Sequence, residues 1–335
     1  MNEHTGWKIR FRNVSKSYNG HDVLKDVSFS VGEGETFVLI GTSGSGKTTT
    51  LKMINRLIEP TKGDIEIGGR EISSYDVTDL RRSIGYVVQS IGLFPHMSIV
   101  KNVSLVPDLL GWKREETDSR VDELLNMVGL EPAVFRERYP SELSGGQQQR
   151  IGVARALAAD PPIILMDEPF GALDPITREG LQNELAALLK KIRKTVVFVT
   201  HDIFEAAILG DRIALMNSGR IVQTGGPKEI VENPGDDFVV DFLGKHRFQL
   251  SLLLMGVREI AAKVDTVEET DLSGLEGIPS LGGDSTVLDA LNYFRQYGHE
   301  VIPVRDGGEV TGVVTREEVK QRVWRLMRGE DAGAG

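Results

Sequence analysis

Apolar and polar positions alternate over residues 7–31. Ile9, Phe11 and Val14, then Val23, Leu24, Val27, Phe29 and Val31, fall at strand spacing around Asn19-Gly20, which predicts a small antiparallel sheet. The run Phe37-Val38-Leu39-Ile40 follows, and then the period changes. Leu51, Ile54, Leu57 and Ile58 share one face of a helix expected to end at Pro60. Residues 65–69 read as a short hairpin, and 84–88 as a strand ending in Gln89. A mixed apolar loop at 91–97 comes next, of a kind a globular core does not need. Residues 101–158 are mostly helical in spacing. Residues 163–166 and 196–199 are continuous apolar runs, as expected of parallel strands buried on both faces. Between them runs a helix through Leu181, Leu185, Leu188 and Leu189, and residues 213–216 and 220–223 form a last hairpin.

Asn233-Pro234-Gly235 breaks this pattern, a short helix follows at 238–243, and 244–255 reads as a linker that Leu250, Leu252, Leu253 and Leu254 keep from being loose. Beyond it lies a smaller α/β segment. It has a helix at 287–296, strands at 301–304 and 310–315 around Asp306-Gly307-Gly308, and a final helix at 316–328. That helix carries Arg316, Lys320, Arg322, Arg325 and Arg328 against Glu317 and Glu318, with Val319, Val323, Leu326 and Met327 on one face. It reads as a core-packing helix with solvated charges, or as a surface for anionic lipid.

The junction between the strand at 37–40 and the helix after it carries chemistry. Gly41-Thr42-Ser43-Gly44-Ser45-Gly46-Lys47-Thr48 has the spacing of a phosphate-binding loop, and Thr49 continues it. Glycines let backbone N–H groups converge, and the helix start adds its positive dipole end. Lys47 brings a charge to the β- and γ-phosphates, and Thr48 offers a hydroxyl to Mg²⁺. A chance match in a chain of this length is about 1% from average composition.

Four other places stand out by position. Asp167-Glu168 ends an apolar strand, at the edge of the sheet where α/β proteins bind ligands. His201 ends the next strand in the same way. Ser144-Gly145-Gly146-Gln147 opens a helix, as an N-cap or as a second anion-friendly helix start. Tyr18, ahead of Asn19-Gly20, serves either surface packing or the stacking of a flat ring.

Whole-chain numbers then narrow the class. With 335 residues, 40% hydrophobic and 26% charged, the chain is an ordinary globular protein of two or three domains. A net charge of -10 argues against a general nucleic-acid binder. No cysteine is present, which excludes disulfides and thiolate chemistry and fits a cytosolic protein. Residues 1–6 have no apolar signal-peptide segment, and no apolar run reaches membrane-spanning length, so work at a membrane requires a partner.

Taken in order, Tyr18, the phosphate loop, Gln89, Leu143-Ser144-Gly145-Gly146-Gln147, Asp167-Glu168, Leu173-Asp174 and His201 resemble the motif set of ATP-binding cassette (ABC) transporter ATPases over about residues 7–244. The resemblance implies a P-loop NTPase fold of the ABC-ATPase type: a RecA-like α/β core, an antiparallel β subdomain and a helical subdomain bearing the signature. It implies ATP and Mg²⁺ as cofactors. Tyr18 is similar to the adenine-stacking aromatic, and Asp167 to the acid that holds Mg²⁺ with Thr48 and Gln89. Glu168 resembles the general base, His201 the γ-phosphate switch, and Gln89 a sensor linked to a membrane partner.

Ser144, Gly145, Gly146 and Gln147 then cap the ATP of a second copy, so a head-to-tail dimer is implied. The further partners implied are transmembrane permease subunits and an extracytoplasmic substrate-binding protein, with no nucleic acid, at the cytoplasmic face of the membrane.

The stretches 53–60 and 91–97 are similar to importers of glycine betaine, carnitine and choline. Another importer class, or a soluble ABC ATPase acting on ribosomes or DNA, is the alternative. Residues 257–328 resemble a cystathionine-β-synthase (CBS) motif, present once, with a poorly matching stretch at 265–283. Such a tail implies a role in dimerisation or in sensing nucleotide or ionic strength. The expected domains are 7–244, a linker at 245–256, 257–328, and a flexible tail at 329–335.

Overall fold

The computed structural model describes residues 7–90, 92–171, 173–263 and 278–328. Ile91, Ala172, the expected tail at 329–335 and most of the stretch 265–283 lie outside them. The chain divides into two compact units, one ending at Gly226 and the other beginning at Pro227.

The first unit opens with β1 (Trp7–Tyr18) and β2 (His21–Gly32), paired antiparallel. Asn19 and Gly20 both have positive φ, as a two-residue hairpin turn demands. After β3 (Thr36–Gly41) and α1 (Lys47–Ile54), strand β4 (Lys62–Ile67) returns to pair with β1, and β5 (Arg70–Glu71) extends that sheet. Helix α1 stops short of the expected end at Pro60. Arg56 turns left-handed (φ 52), and the buried Asn55 side chain accepts from Leu57 N–H at 3.2 Å.

Next come α2 (Val77–Arg82), β6 (Ile84–Val87), α3 (Ile99–Leu109), α4 (Arg114–Met127), α5 (Pro132–Phe135) and α6 (Gly145–Leu157). Then follow β7 (Ile163–Asp167), α7 (Pro175–Ile192), β8 (Thr195–Thr200), α8 (Ile203–Leu209), β9 (Arg212–Asn217) and β10 (Arg220–Gly225). Among the described residues the second sheet runs β10-β9-β3-β8-β7-β6, parallel except for β10 at its edge. The runs on β3, β7 and β8 are buried throughout, as a sheet covered on both faces requires.

Phe11, Phe29 and Phe37 stack at 4.4 and 5.0 Å and join the two sheets into one core. Helices α3, α4 and α6 form a separate layer around Ile99, Val103, Leu124, Leu125 and Ile151. Asn102 on α3 is fully buried and ties down the apolar loop. Its amide accepts from Phe94 N–H and donates to the carbonyls of Phe94, Met97 and Ser98.

The second unit contains α9 (Pro227–Glu232), α10 (Asp237–Leu243) and α11 (Arg247–Leu254). Residues 245–256, read as a linker, thus include a helix, and it buries Leu250 and Leu252. Then come β11 (Ala262–Lys263), β12 (Leu281–Gly282), α12 (Val287–Tyr297), β13 (Val301–Asp306), β14 (Glu309–Thr315) and α13 (Arg316–Arg328). The sheet order is β11-β14-β13-β12. Its core gathers Val257, Val287, Phe294, Ile302, Val304, Val314 and Val319. On α13 Val319 is buried, whereas Trp324 and Met327 are exposed, so the basic helix packs through part of its apolar face.

Candidate functional site

The central sheet delivers its chemistry along one edge, at the carboxyl ends of neighbouring strands β3, β8 and β7. The phosphate loop leaves β3 at Gly41 (φ 153), where an added Cβ would lie 2.0 Å from the carbonyl oxygen of Met216. Gly46 (φ 101) caps α1, and a Cβ there would meet Leu24 of β2 at 2.3 Å. Only glycine fits at either position. At Gly44 (φ 76) a Cβ would meet nothing within 4 Å, so the loop is open above. The first N–H groups of α1 face that opening without intrahelical partners. The Ser45 hydroxyl is buried and lacks a hydrogen-bond partner. An oxygen-rich ligand such as a phosphate chain fits this cradle.

Lys47 is 6% exposed and donates to the carbonyls of Gly41 and Thr42 at 3.0 and 2.9 Å. Burial pulls its pKa down, and Glu168 and Asp167 pull it back up. Thr48 donates to Asp167 Oδ1 at 2.9 Å, and the Tyr86 hydroxyl lies 3.4 Å from Oδ2. Burial likewise pushes the Tyr86 hydroxyl up, with the Asp167 charge adding to it. Among the described residues no three His, Cys, Asp or Glu side chains form a metal cage. A nucleotide-bound Mg²⁺ takes one or two protein oxygens and completes its shell from phosphate and water, so Thr48 beside Asp167 suits it.

Glu168 follows directly and turns left-handed (φ 43), a conformation costing about 1–3 kcal/mol for such a residue. Its N–H donates to Val199 O at 2.9 Å and its carbonyl accepts from Gly171 at 3.1 Å. The turn aims its carboxylate at two groups. Gln89 Nε2 donates to Oε2 at 3.0 Å, and His201 Nδ1 stands 3.5 Å from the same oxygen. Glu168 is one-fifth exposed and His201 mostly exposed, so this side of the site meets solvent.

The other expected residues lie elsewhere. Tyr18 ends β1 with its ring exposed and Lys16 over it at 4.8 Å; the returning strand β2 is the one that seats Gly46. Ser144 caps α6 in a reciprocal pair with Gln147, at 3.3 and 3.0 Å. Ser144 and Gly145 are exposed, whereas Gly146 is buried, and Thr177 of α7 would lie 2.8 Å from a Cβ there. Among the described residues no hydrogen bond joins 144–147 to the phosphate loop of the same chain.

Tyr86 was not singled out from sequence. It sits inside an apolar run on β6 and reaches Asp167 only because that strand pairs with β7, opposite Leu165. Gln182, Thr200 and Glu205, bonded together beside the His201 position, carry no sequence signal: Thr200 and Glu205 are five residues apart but form no motif, and Gln182 comes from 23 residues before Glu205.

The state of Asp167 makes a prediction. Burial, aided by Glu168, pushes its carboxyl above the ordinary range against the pull of Thr48, Lys52 and Tyr86. A raised folded-state pKa contributes stability that is complete below the unfolded value and is lost as pH rises through the folded one. Without nucleotide, Asp167→Asn therefore raises the melting temperature at pH 7, and the difference closes as pH falls toward about 4, near the unfolded carboxyl. Thermal unfolding at the two pH values measures this, and an unchanged gap would show that its charge is not the cause.

Comparison with known proteins agrees with this geometry. A family model described as ABC transporter matches residues 24–171, and one described as CBS domain matches 275–325. The chain is 49% identical over 296 residues to the glycine betaine uptake system ATP-binding protein YehX of Escherichia coli, covering 88% of this chain and 93% of that one. It is 48% identical over 315 residues to the choline transport ATP-binding protein OpuBA of Bacillus subtilis, covering 93% and 80%. Among solved structures it is similar to the dimeric post-hydrolysis state of the ATP-binding cassette MJ0796 bound to ADP and Pi. The TM-score is 0.58 at 39% identity, over 65% of this chain and 98% of that one.

Proposed function

This chain belongs to the ABC transporter family, and on that premise we propose that it hydrolyses ATP to drive uptake of quaternary amine osmoprotectants through a separate permease. It is homologous to the osmoprotectant importer ATPases and carries a CBS domain.

The observation that carries the hydrolytic reading is the convergence of Lys47, the Thr48–Asp167 pair and the Gln89–Glu168–His201 cluster on one sheet edge. The phosphate loop and Lys47 bind and orient the triphosphate. Mg²⁺, when bound beside Thr48 and Asp167, supplies charge neutralisation to the phosphates. Glu168 Oε2 accepts a proton from water as its oxygen bonds the γ-phosphorus and the bond to the β-phosphate oxygen breaks, leaving ADP and phosphate. Gln89 holds the carboxylate, and His201 contacts the γ-phosphate from the solvent side. As the family resemblance implies, Ser144 and Gly145, exposed and with no hydrogen bond to their own phosphate loop among the described residues, cap the nucleotide of a second copy in a head-to-tail dimer.

The permease docks at a groove of about 330 Å³ beside the Gln89 loop, lined by Tyr86, Val88, Phe94, Leu105 and Val106. Asn102 holds Phe94, and Arg155 donates to Gly92 O at 2.7 Å, so the segment lining the groove is tied to helices α3 and α6. The solute class rests on the relatives, which are glycine betaine and choline transport subunits.

The test is reconstitution. The chain is co-purified with its permease in lipid vesicles, and uptake of labelled glycine betaine, carnitine and choline is followed with ATP present. ATP-dependent uptake of one of them is expected. Brisk hydrolysis by a chain that never associates with a permease would favour a soluble ATPase instead.

A further inference from the structure

The loop that carries His201 is pinned from beneath by a buried carboxylate outside the nucleotide site. Glu205, in the first turn of α8, is 4% exposed. Its Oε2 accepts from the Thr200 hydroxyl, and Thr200 is itself buried. The same hydroxyl oxygen accepts from the N–H of Asp202 at 3.0 Å. Asp202 in turn caps α8, accepting from Phe204 N–H at 2.8 Å. Both chain neighbours of His201 are therefore fixed through one hydroxyl, and Glu205 fixes the hydroxyl.

The other oxygen, Oε1, accepts from Gln182 Nε2 at 3.1 Å. Gln182 lies on α7, 8% exposed. Its sequence neighbour Leu181 and nearby Thr177 press on Gly146 from the signature side, 3.3 and 2.8 Å from where a Cβ would stand. Asp174 caps α7, accepting from Thr177 N–H at 3.1 Å, and Arg178 donates to Leu173 O at 3.1 Å. Helix α7 thus has the signature segment against one side and Glu205 against another.

We propose that Glu205 is a positioning residue for hydrolysis, holding His201 in place and linking its loop through Gln182 to the helix that backs Gly146. The inference rests on the reading of His201 as a γ-phosphate contact. It adds a consequence for the dimer. Ser144 to Gly146 serve one nucleotide and His201 serves the other, so this intrachain line of contacts couples the two sites. A carboxylate suits the place because both incoming groups are donors and it offers two acceptor oxygens. Burial pushes its pKa up and Asp202 adds to that, while Thr200, Gln182 and Arg178 oppose it.

The chemistry separates three variants. Glu205→Gln keeps both bonds if Gln182 turns its amide over, since the new amide accepts from Thr200 and donates to Gln182. Glu205→Leu and Thr200→Val each break the pinning at nearly constant volume. The full chain is assayed for kcat and KM for ATP in the wild-type and His201→Ala backgrounds, with thermal unfolding alongside.

The expected result is a loss of about tenfold or more in kcat for Glu205→Leu, with KM within about twofold, and a kcat for Glu205→Gln within about threefold of the parent. In the His201→Ala background Glu205→Leu lowers kcat by less than about twofold, because both act on the same contact. A tenfold loss that persists in that background overturns the proposal while leaving the role of His201 intact. Full activity in His201→Ala alone removes the reading of the site, and the proposal with it. If Glu205→Leu does not fold, Thr200→Val takes its place in the cycle, with the same two outcomes deciding.

Discussion

Glu168→Gln abolishes multiple-turnover hydrolysis, lowering kcat by about 100-fold or more, the scale of a lost general base. The substitution is nearly isosteric, so its other properties stay. The left-handed backbone at residue 168 is held by Val199 and Gly171 through main-chain bonds, which a side-chain change does not touch. The Gln89 contact survives with the amide oxygen as acceptor. ATP binding is unchanged, and with no means of breaking the γ-phosphate bond the proposed head-to-tail dimer accumulates. Phosphate release and sedimentation velocity with ATP measure the two halves. Hydrolysis within tenfold of the parent would remove Glu168 as the base and leave Asp167 or a water chain to explain the chemistry.

Lys47→Ala has the second large effect, on binding. Lys47 is braced by two carbonyls at the mouth of the phosphate loop and faces two carboxylates. Removing it takes a charged donor from the phosphates and leaves Asp167 buried with less compensation. ATP affinity falls about 100-fold, ~3 kcal/mol, within the range for hydrogen bonds to charged groups plus the like-charge penalty left behind. Lys47→Arg does not restore it, because a planar fork does not fit between the carbonyls of Gly41 and Thr42. Equilibrium binding of a fluorescent ATP analogue tests both variants. Unchanged affinity in Lys47→Ala would place the phosphates elsewhere.

Much of the site is legible in the sequence because phosphate binding imposes local spacing. A loop that must curl around oxygens fixes its glycines and lysine within eight positions. Buried parallel strands announce themselves as apolar runs, and Asp167, Glu168 and His201 are conspicuous as polar residues at their ends. What is not legible depends on strands and helices meeting. Tyr86 and Asp167 are 81 residues apart and no pattern joins them, whereas Thr48 and Asp167, 119 apart, are brought together in the sequence only by the family resemblance.

The early stop of α1 has a different cause. The apolar spacing of Leu57 and Ile58 continues past Ile54, but the buried Asn55 side chain offers the backbone a competing acceptor. Leu250 to Leu254 were ambiguous for want of contrast: four leucines in five residues show no face until a core exists to choose one. In the second unit, where the single CBS match lies, the strands at β13 and β14 and the helices after and before them follow the pattern read from the sequence.

Gly41 shows what such packing means for variation. Its missing side chain is filled by the carbonyl of a neighbouring strand, so β9 is moulded around the loop as tightly as the loop is moulded around a phosphate. In a library of every single substitution, position 41 would be empty among survivors even under selection for folding alone. Position 44, left-handed at φ 76 and with open space around it, would tolerate asparagine under that selection and lose it only when ATP must be bound. The two glycines of one motif are constrained by different forces, and a pair of screens tells them apart.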